Sequence, residues 1–279
     1  MKRFVLVVPV VLSAWACDRS PSRVEFELPG YVLSSHELPL NPRVSTQGGD
    51  LLADARPTFA VTPPGLAVVT SSAGLRCLDS GDGVLSVTVG PVTHTEPLRC
   101  RLVETLRVPK ALRLIIPNAP VVAEVSARDV RGDVLQDVPL TLTSSNPSIF
   151  RVDSGTLTPV SVGTANLLVS AGDRTSTTPV TVVRKLQSHP LLLNDGSRVS
   201  WSLNQGHYEI EAQVRSSSGN MNGITLEWVG GSGCQDVGEA QTLRSQCTIE
   251  NMGSVIIKNP TTFGLGPSLN GVVALYETP

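Results

Sequence analysis

The residues of this chain whose types could do chemistry are five cysteines, four histidines and one closely spaced pair of glutamates. Cys77 with Cys100, and Cys234 with Cys247, form two locally spaced pairs, while Cys17 stands apart near the N-terminus. No Cys-x-x-Cys occurs, and His94 is the only imidazole near the first pair, so disulfides rather than a metal site are expected. A bridge closing a loop of that size stabilises by roughly 3 kcal/mol on the chain-entropy model. His36, His94, His189 and His207 are scattered, and neither H-E-x-x-H nor G-x-S-x-G appears. Glu209 and Glu211 share one strand face at a separation of about 6.5–7 Å, which could suit a carboxylate pair. They belong to a polar stripe, however, and are expected to be solvated. Asp79-Ser80-Gly81-Asp82-Gly83 lacks the ligand series of a calcium loop and reads as a hairpin turn, with a weak calcium site as the lesser alternative. No catalytic residue, metal or cofactor is expected, so the chain does not read as an enzyme.

The elements that must position these residues read as strands. Short apolar alternations rich in Val, Thr, Ser and Leu, punctuated by 24 Gly and 21 Pro, point to several small β domains and no long helix. A hydrophobic content of 41% supports packed cores. With 24 acidic residues against 22 basic and a net charge of −2, the chain is not a polybasic nucleic-acid binder.

At the N-terminus Lys2 and Arg3 precede the apolar run Phe4 to Ala16. That run is too short for a bilayer needing about 20 residues, and with its cationic start it reads as a secretory signal over residues 1–16. Two processing outcomes stand open. Ala14-Trp15-Ala16 is an A-x-A site for ordinary signal peptidase, whereas Ser13-Ala14-Trp15-Ala16-Cys17 resembles a bacterial lipobox. Ala14 and Trp15 depart from the leucine and the small residue that the lipobox prefers at those places. The lipobox reading makes Cys17 the lipidated N-terminus, residues 17–23 a tether and the membrane a partner through the lipid. It places the chain in a bacterial cell envelope, with the outer membrane or cell surface preferred to the inner membrane and the leaflet left open.

Beyond the signal the chain repeats itself. Gly49-Asp50-Leu51-Leu52-Ala53-Asp54-Ala55 recurs as Gly132-Asp133-Val134-Leu135-Gln136-Asp137-Val138, and Val87 and Gly90 recur as Val169 and Gly172. A period of about 82 residues suits one small sandwich used twice, over 24–105 and 106–184. In the second copy Val121 to Ala127 and Val138 to Thr143 alternate as strands, Asp129 to Asp133 and Ser144-Ser145-Asn146-Pro147 turn, and Ile149 to Val152, Ala165 to Val169 and Pro179 to Val183 supply further strands. Short strands at such intervals describe an immunoglobulin-like sandwich. These residues resemble the group 2 bacterial immunoglobulin-like domains. The carriers are the Asp129–Asp133 turn with Gly132, the run Leu140 to Ile149, Gly155, Val162-Gly163-Thr164-Ala165 and the ending Thr181-Val182-Val183. Leu142 stands where that family often has a tryptophan. The resemblance implies a spacer or adhesion module on a bacterial surface and brings no catalytic residue.

Residues 185–279 read as a different domain. Tyr208, Ile210, Ala212 and Val214 line one strand face, with Glu209, Glu211, Gln213 and Arg215 on the other. Ile224, Leu226 and Trp228 repeat the pattern, Gly230-Gly231-Ser232-Gly233 reads as a turn, and Val255 to Ile257 and Val272 to Tyr276 supply strands. The fold class is therefore all-β: two tandem immunoglobulin-like sandwiches followed by a C-terminal antiparallel, jelly-roll-like β-sandwich. Tyr208 and Trp228 are expected in the core. Trp201 and Phe263, beside turn residues, and His207 are the candidates for ligand contact, the partner being another envelope protein or a polysaccharide. The leading function is a noncatalytic, lipid-anchored spacer or adhesion protein, and the alternative is carbohydrate binding by the last domain.

Overall fold

The computed structural model of the protein describes residues 20–216, 225–236, 242–259 and 268–279. Cys17 and Phe263 lie outside the described residues. All the regular elements among those residues are strands, and no helix there is long and apolar enough to cross a membrane. The chain divides into two units. One holds the described residues up to Glu104 together with Asp129–Val138, and the other holds Thr105–Arg128 and Pro139–Pro279.

The N-terminal unit contains β1 (Arg23–Glu25), β2 (Leu38–Pro39), β3 (Arg43–Ser45), β4 (Thr58–Thr62), β5 (Ala67–Val69), β6 (Gly74–Cys77), β7 (Gly81–Val89) and β8 (Val92–Cys100). Strands β4, β7 and β8 form one antiparallel sheet, β2, β6 and β5 a second, and β1 pairs with β3. The alternation along β7 and β8 turns Leu85, Val87, Leu98 and Cys100 into the core. Gly90, at φ 57°, opens the turn between these two strands. Strands β6 and β7 belong to different sheets, so Asp79–Gly83 crosses between sheets instead of closing the expected hairpin. The Asp129–Asp133 turn forms as expected: Asp129 Oδ1 accepts from the backbone N–H groups of Arg131 and Asp133, each at 2.9 Å.

The second unit begins as an immunoglobulin-like sandwich. Its strands are β9 (Thr105–Arg107), β10 (Leu112–Ile116), β11 (Val121–Val122), β12 (Ser126–Arg128), β13 (Thr141–Ser144), β14 (Phe150–Asp153), β15 (Thr156–Pro159), β16 (Gly163–Ala171) and β17 (Arg174–Leu193). Strands β13, β16 and β17 run antiparallel in one sheet, and β10 joins β17 in parallel, Leu112 opposite Val180. Facing them are β11–β15–β14 and the β9–β12 pair. Leu114, Phe150, Leu157, Leu167, Val180 and Val182 fill the space between.

The remaining strands are β18 (Arg198–Leu203), β19 (Gly206–Ser216), β20 (Thr225–Asp236), β21 (Thr242–Lys258) and β22 (Leu269–Thr278). They join the sheet through β17, which does not stop at the expected boundary of 184/185 but runs on to pair with β22 from Arg184 to Leu193. Strands β18 and β19 follow one another along the same edge of β21, with β20 paired along β21 as well. This sheet is sharply bent. Trp228 sits opposite Val255 of β21, yet its Nε1–H donates to Ser245 Oγ at 2.8 Å, ten residues back along the same strand. Only a sheet folded over on itself brings those two positions within reach. The bend falls where β20 bulges between Val229 and Gly231, with Gly230 at φ 73°. At the same level a Cβ on Gly253 would meet the Val229 carbonyl oxygen at 2.4 Å. Folding closes a single core from Leu191, Leu203, Ile210, Ile249, Val255 and Ile257. The Gly230–Gly233 stretch is accordingly a bulged part of β20 and not the turn that its glycines suggest.

Candidate functional site

The expected disulfides form, in contrasting settings. Cys77 and Cys100 tie β6 to β8, and thus one sheet to the other, with Cα atoms 5.9 Å apart. Both are buried, at 1% and 0% exposure. Cys234 and Cys247 link neighbouring strands β20 and β21 with Cα atoms 4.1 Å apart, and there Cys247 is buried while Cys234 is exposed on the outer strand.

Of the three ligand-contact candidates, Phe263 lies outside the described residues, and Trp201 and His207 are placed differently. Trp201 is 9% exposed and lies within the core of the bent sheet, where its ring offers no platform to a ligand. The turn residues beside it mislead, because β18 and β19 run on along one edge of β21 and keep the ring inside. His207 is exposed and shares Nδ1 with Thr248 Oγ1 at 2.9 Å, on the strand face opposite to the buried Tyr208.

The glutamate stripe holds the largest departure from expectation. Glu211 is half-buried, but Glu209 is 1% exposed. Its face of β19 is covered by residues distant in sequence. Oε2 accepts from Arg244 Nη2 at 2.8 Å and from Gln246 Nε2 at 2.7 Å, both on β21, and Oε1 lies 2.6 Å from Arg113 Nη2 on β10. That last contact is an ion pair off the hydrogen-bond line, so Arg113 Nη2 and Glu209 Oε1 keep no hydrogen-bond partner. Arg113 also stacks over the Tyr276 ring, 4.8 Å from its centroid. Burial alone would push the Glu209 carboxyl up, yet the Arg113, Arg244 and Gln246 contacts outweigh it and hold the carboxyl down at about 2. A carboxylate held ionised between two guanidinium groups is a weak base, and the two cations beside it oppose the approach of a metal ion. It does structural work: Val183, Ala274, Tyr276 and Ile115 form a small apolar cluster on this face, and Arg184 Nη1 donates to Glu277 Oε2 at 2.7 Å.

In the N-terminal unit the carboxylates of the Asp79–Gly83 stretch are met by arginines. Asp82 Oδ1 accepts from Arg101 Nη2 at 2.8 Å, and Asp79 lies 3.5 Å from Arg131, whose guanidinium is also 3.4 Å from Asp129. Among the described residues no group of three or more His, Cys, Asp or Glu side chains is placed to hold a metal ion. A cleft of about 710 Å³ in this unit is lined by Phe26, Glu27, Arg43, His94 and Glu96 among others, with His94 Nε2 2.9 Å from Glu96 Oε1. Nothing in the sequence marked it, because its walls come from four separate strands and their loops.

Comparison with known proteins agrees with the sandwich at one place. The family model of the bacterial Ig-like domain (Big-like) matches residues 138–184, which run from the end of the Asp129–Val138 segment to the middle of β17. The chain is similar to solved structures of the S-layer protein SbsC: domains 4 and 5 at 17% identity and TM-score 0.27, over 58% of this chain and 98% of that one. For SbsC domains 4–9 the values are 16% and 0.28, over 87% of this chain and 48% of that one. It is similar also to invasin, a bacterial integrin-binding protein, at 12% identity and TM-score 0.26, over 85% of this chain and 56% of that one. The chain thus spans about half the length of the last two structures. No curated protein matches it. Similarity at this level says nothing of what the chain binds.

Proposed function

We propose that this protein is a noncatalytic, lipid-anchored component of a bacterial cell envelope, in which Ig-like modules act as spacers that carry the bent C-terminal sheet outward. The observation that carries the reading is β17. One strand of 20 residues, bulged once between Lys185 and Gln187, leaves the Ig-like sandwich and becomes part of the C-terminal sheet. A strand shared in this way leaves no flexible linker, and Arg113 with Glu209 fastens the same junction a second time. A spacer needs such stiffness, whereas an enzyme with an internal hinge would not have it. The bacterial Ig-like match at 138–184 supports the module type, and the cationic, apolar start ending at Cys17 supports export and anchoring. With Trp201 in the core, the sugar-binding alternative rests on Phe263 and His207.

Mass spectrometry of the mature N-terminus tests the anchor. A diacyl or triacyl mass on Cys17, abolished in Cys17→Ala together with membrane association, is the expected result. An unmodified Cys17 on a soluble exported chain would remove the anchored reading.

A further inference from the structure

The two disulfides differ in what holds the chain if the sulfur bond opens, and that difference has a use. Strand β20 pairs only with β21 among the described residues, and its outer half, Gly230 to Asp236, is exposed throughout. The ladder holding that half is broken twice, between Val229 and Gly231 and between Ser232 and Gln235. Cys234 lies inside the second break, so the bridge to Cys247 replaces the ladder there. The inner half of β20 is held otherwise: by an unbroken register from Thr225 to Val229, by the ion pair of Glu227 with Lys258 and by the Trp228 to Ser245 hydrogen bond. The bridge also has a seat made for it. A Cβ on Gly231 would meet Cys247 Sγ at 2.3 Å and Cys234 Sγ at 3.1 Å, so the sulfurs tuck against the β20 backbone only because residue 231 has no side chain.

We propose that Cys234 is a thiol-exchange site, and that its bridge to Cys247 is a reversible latch on the outer half of β20, opened by a protein dithiol of the thioredoxin-like class. The partner's thiolate attacks the Sγ of Cys234, the exposed residue of the pair. The S–S bond breaks, its electron pair leaves on Cys247 Sγ, which takes up a proton, and a mixed disulfide joins Cys234 to the partner. The partner's second thiol attacks that mixed disulfide through its own sulfur and frees Cys234 as a thiol. The partner ends as a disulfide, having given two electrons to the bridge. Release of the outer half of β20 bares the β21 backbone around Ser245 to Ile249, an open edge able to accept another strand. Cys77 and Cys100 offer no such route, since neither sulfur is exposed.

The full chain tests this under native conditions. It is treated with dithiothreitol and, separately, with a thioredoxin-fold dithiol protein; freed thiols are alkylated and counted by mass spectrometry, while hydrogen exchange follows β20. Alkylation of Cys234 and Cys247 at least tenfold faster than of Cys77 and Cys100, together with faster exchange over Gly231–Asp236 and unchanged exchange over Thr225–Val229, is the expected result. Equal or reversed rates for the two pairs, or reduction without faster exchange in the outer half of β20, would overturn it. Acceleration by the small dithiol with none by the protein dithiol would overturn the partner class. In Gly231→Ala the seat is filled, and the expected shift is a further increase in the rate at which Cys234 is freed; no change there counts against the latch geometry.

Discussion

The N-terminal sandwich and the C-terminal sheet solve the same problem in different ways. Each is small, and a small β domain buries too little apolar surface to stand on its core alone without difficulty. The N-terminal unit is made of separate sheets, and it ties two of them through the buried Cys77–Cys100 bridge. The C-terminal region is one sheet bent over on itself at Gly230 and Gly253, and it leans on its neighbour through the shared strand β17 and the carboxylate of Glu209. Its own disulfide joins two strands that are already adjacent, so it adds little to the architecture. The lesson is that a covalent tie is structural where it spans layers and becomes available for exchange where it lies within one.

The comparison breaks first at the cysteines. The loops closed by the two bridges, 23 and 13 residues, give nearly the same entropic stabilisation of about 3 kcal/mol. Burial must therefore separate them. Cys77→Ser with Cys100→Ser leaves hydroxyls in a dry core, and a loss of about 5 kcal/mol is expected from urea unfolding of the full chain. Cys234→Ser with Cys247→Ser is expected to cost about 3 kcal/mol or less. Equal losses would mean that the layers are held by something other than the bridge.

Next in size is Glu209→Ala. It leaves Arg113 and Arg244 facing one another without a counter-charge, and a loss of about 3 kcal/mol is expected, read as a lower urea midpoint for the second unit. Acid probes the same group without mutation. Because the folded carboxyl is held at about 2, below its ordinary 4.5, its contribution is fully present above about pH 4.5 and is lost as the pH falls towards 2. A Glu209→Ala chain should therefore lose less stability than the parent between pH 4.5 and 2. If parallel melts of the two chains fall equally in that window, Glu209 is not the group that titrates. The smallest effect is expected from Trp228→Phe, which keeps an aromatic ring in place of the indole and removes one hydrogen bond to the buried Ser245 hydroxyl, for about 1 kcal/mol.

Much of the fold was legible in the residues. The period of two from Tyr208 to Val214 places those four side chains in the core, and Asn146 makes its expected turn by accepting from the Ser148 backbone N–H at 3.1 Å. The cysteine pairs were legible because spacing and compartment point the same way. Three features were not. Glu209 looks solvated because a polar stripe on a lone strand faces water, and the arginine that covers it, Arg113, comes from a strand nearly a hundred residues earlier. The continuity of β17 was hidden by Arg184 to Pro190, a run with no apolar alternation whose strand character comes from pairing with β22. Gly230 to Gly233 looked like a turn because a bulge and a turn demand the same left-handed backbone at glycine.

The central claim is that the second sandwich and the bent sheet behave as one stiff body through β17 and Glu209. Native-state hydrogen exchange on the full chain measures this directly. The account predicts that the slowest amides of β16 and of β19 open with the same free energy and the same urea dependence, and that Glu209→Ala separates them. Exchange from β19 at a clearly lower opening free energy than β16 in the unmutated chain would contradict it.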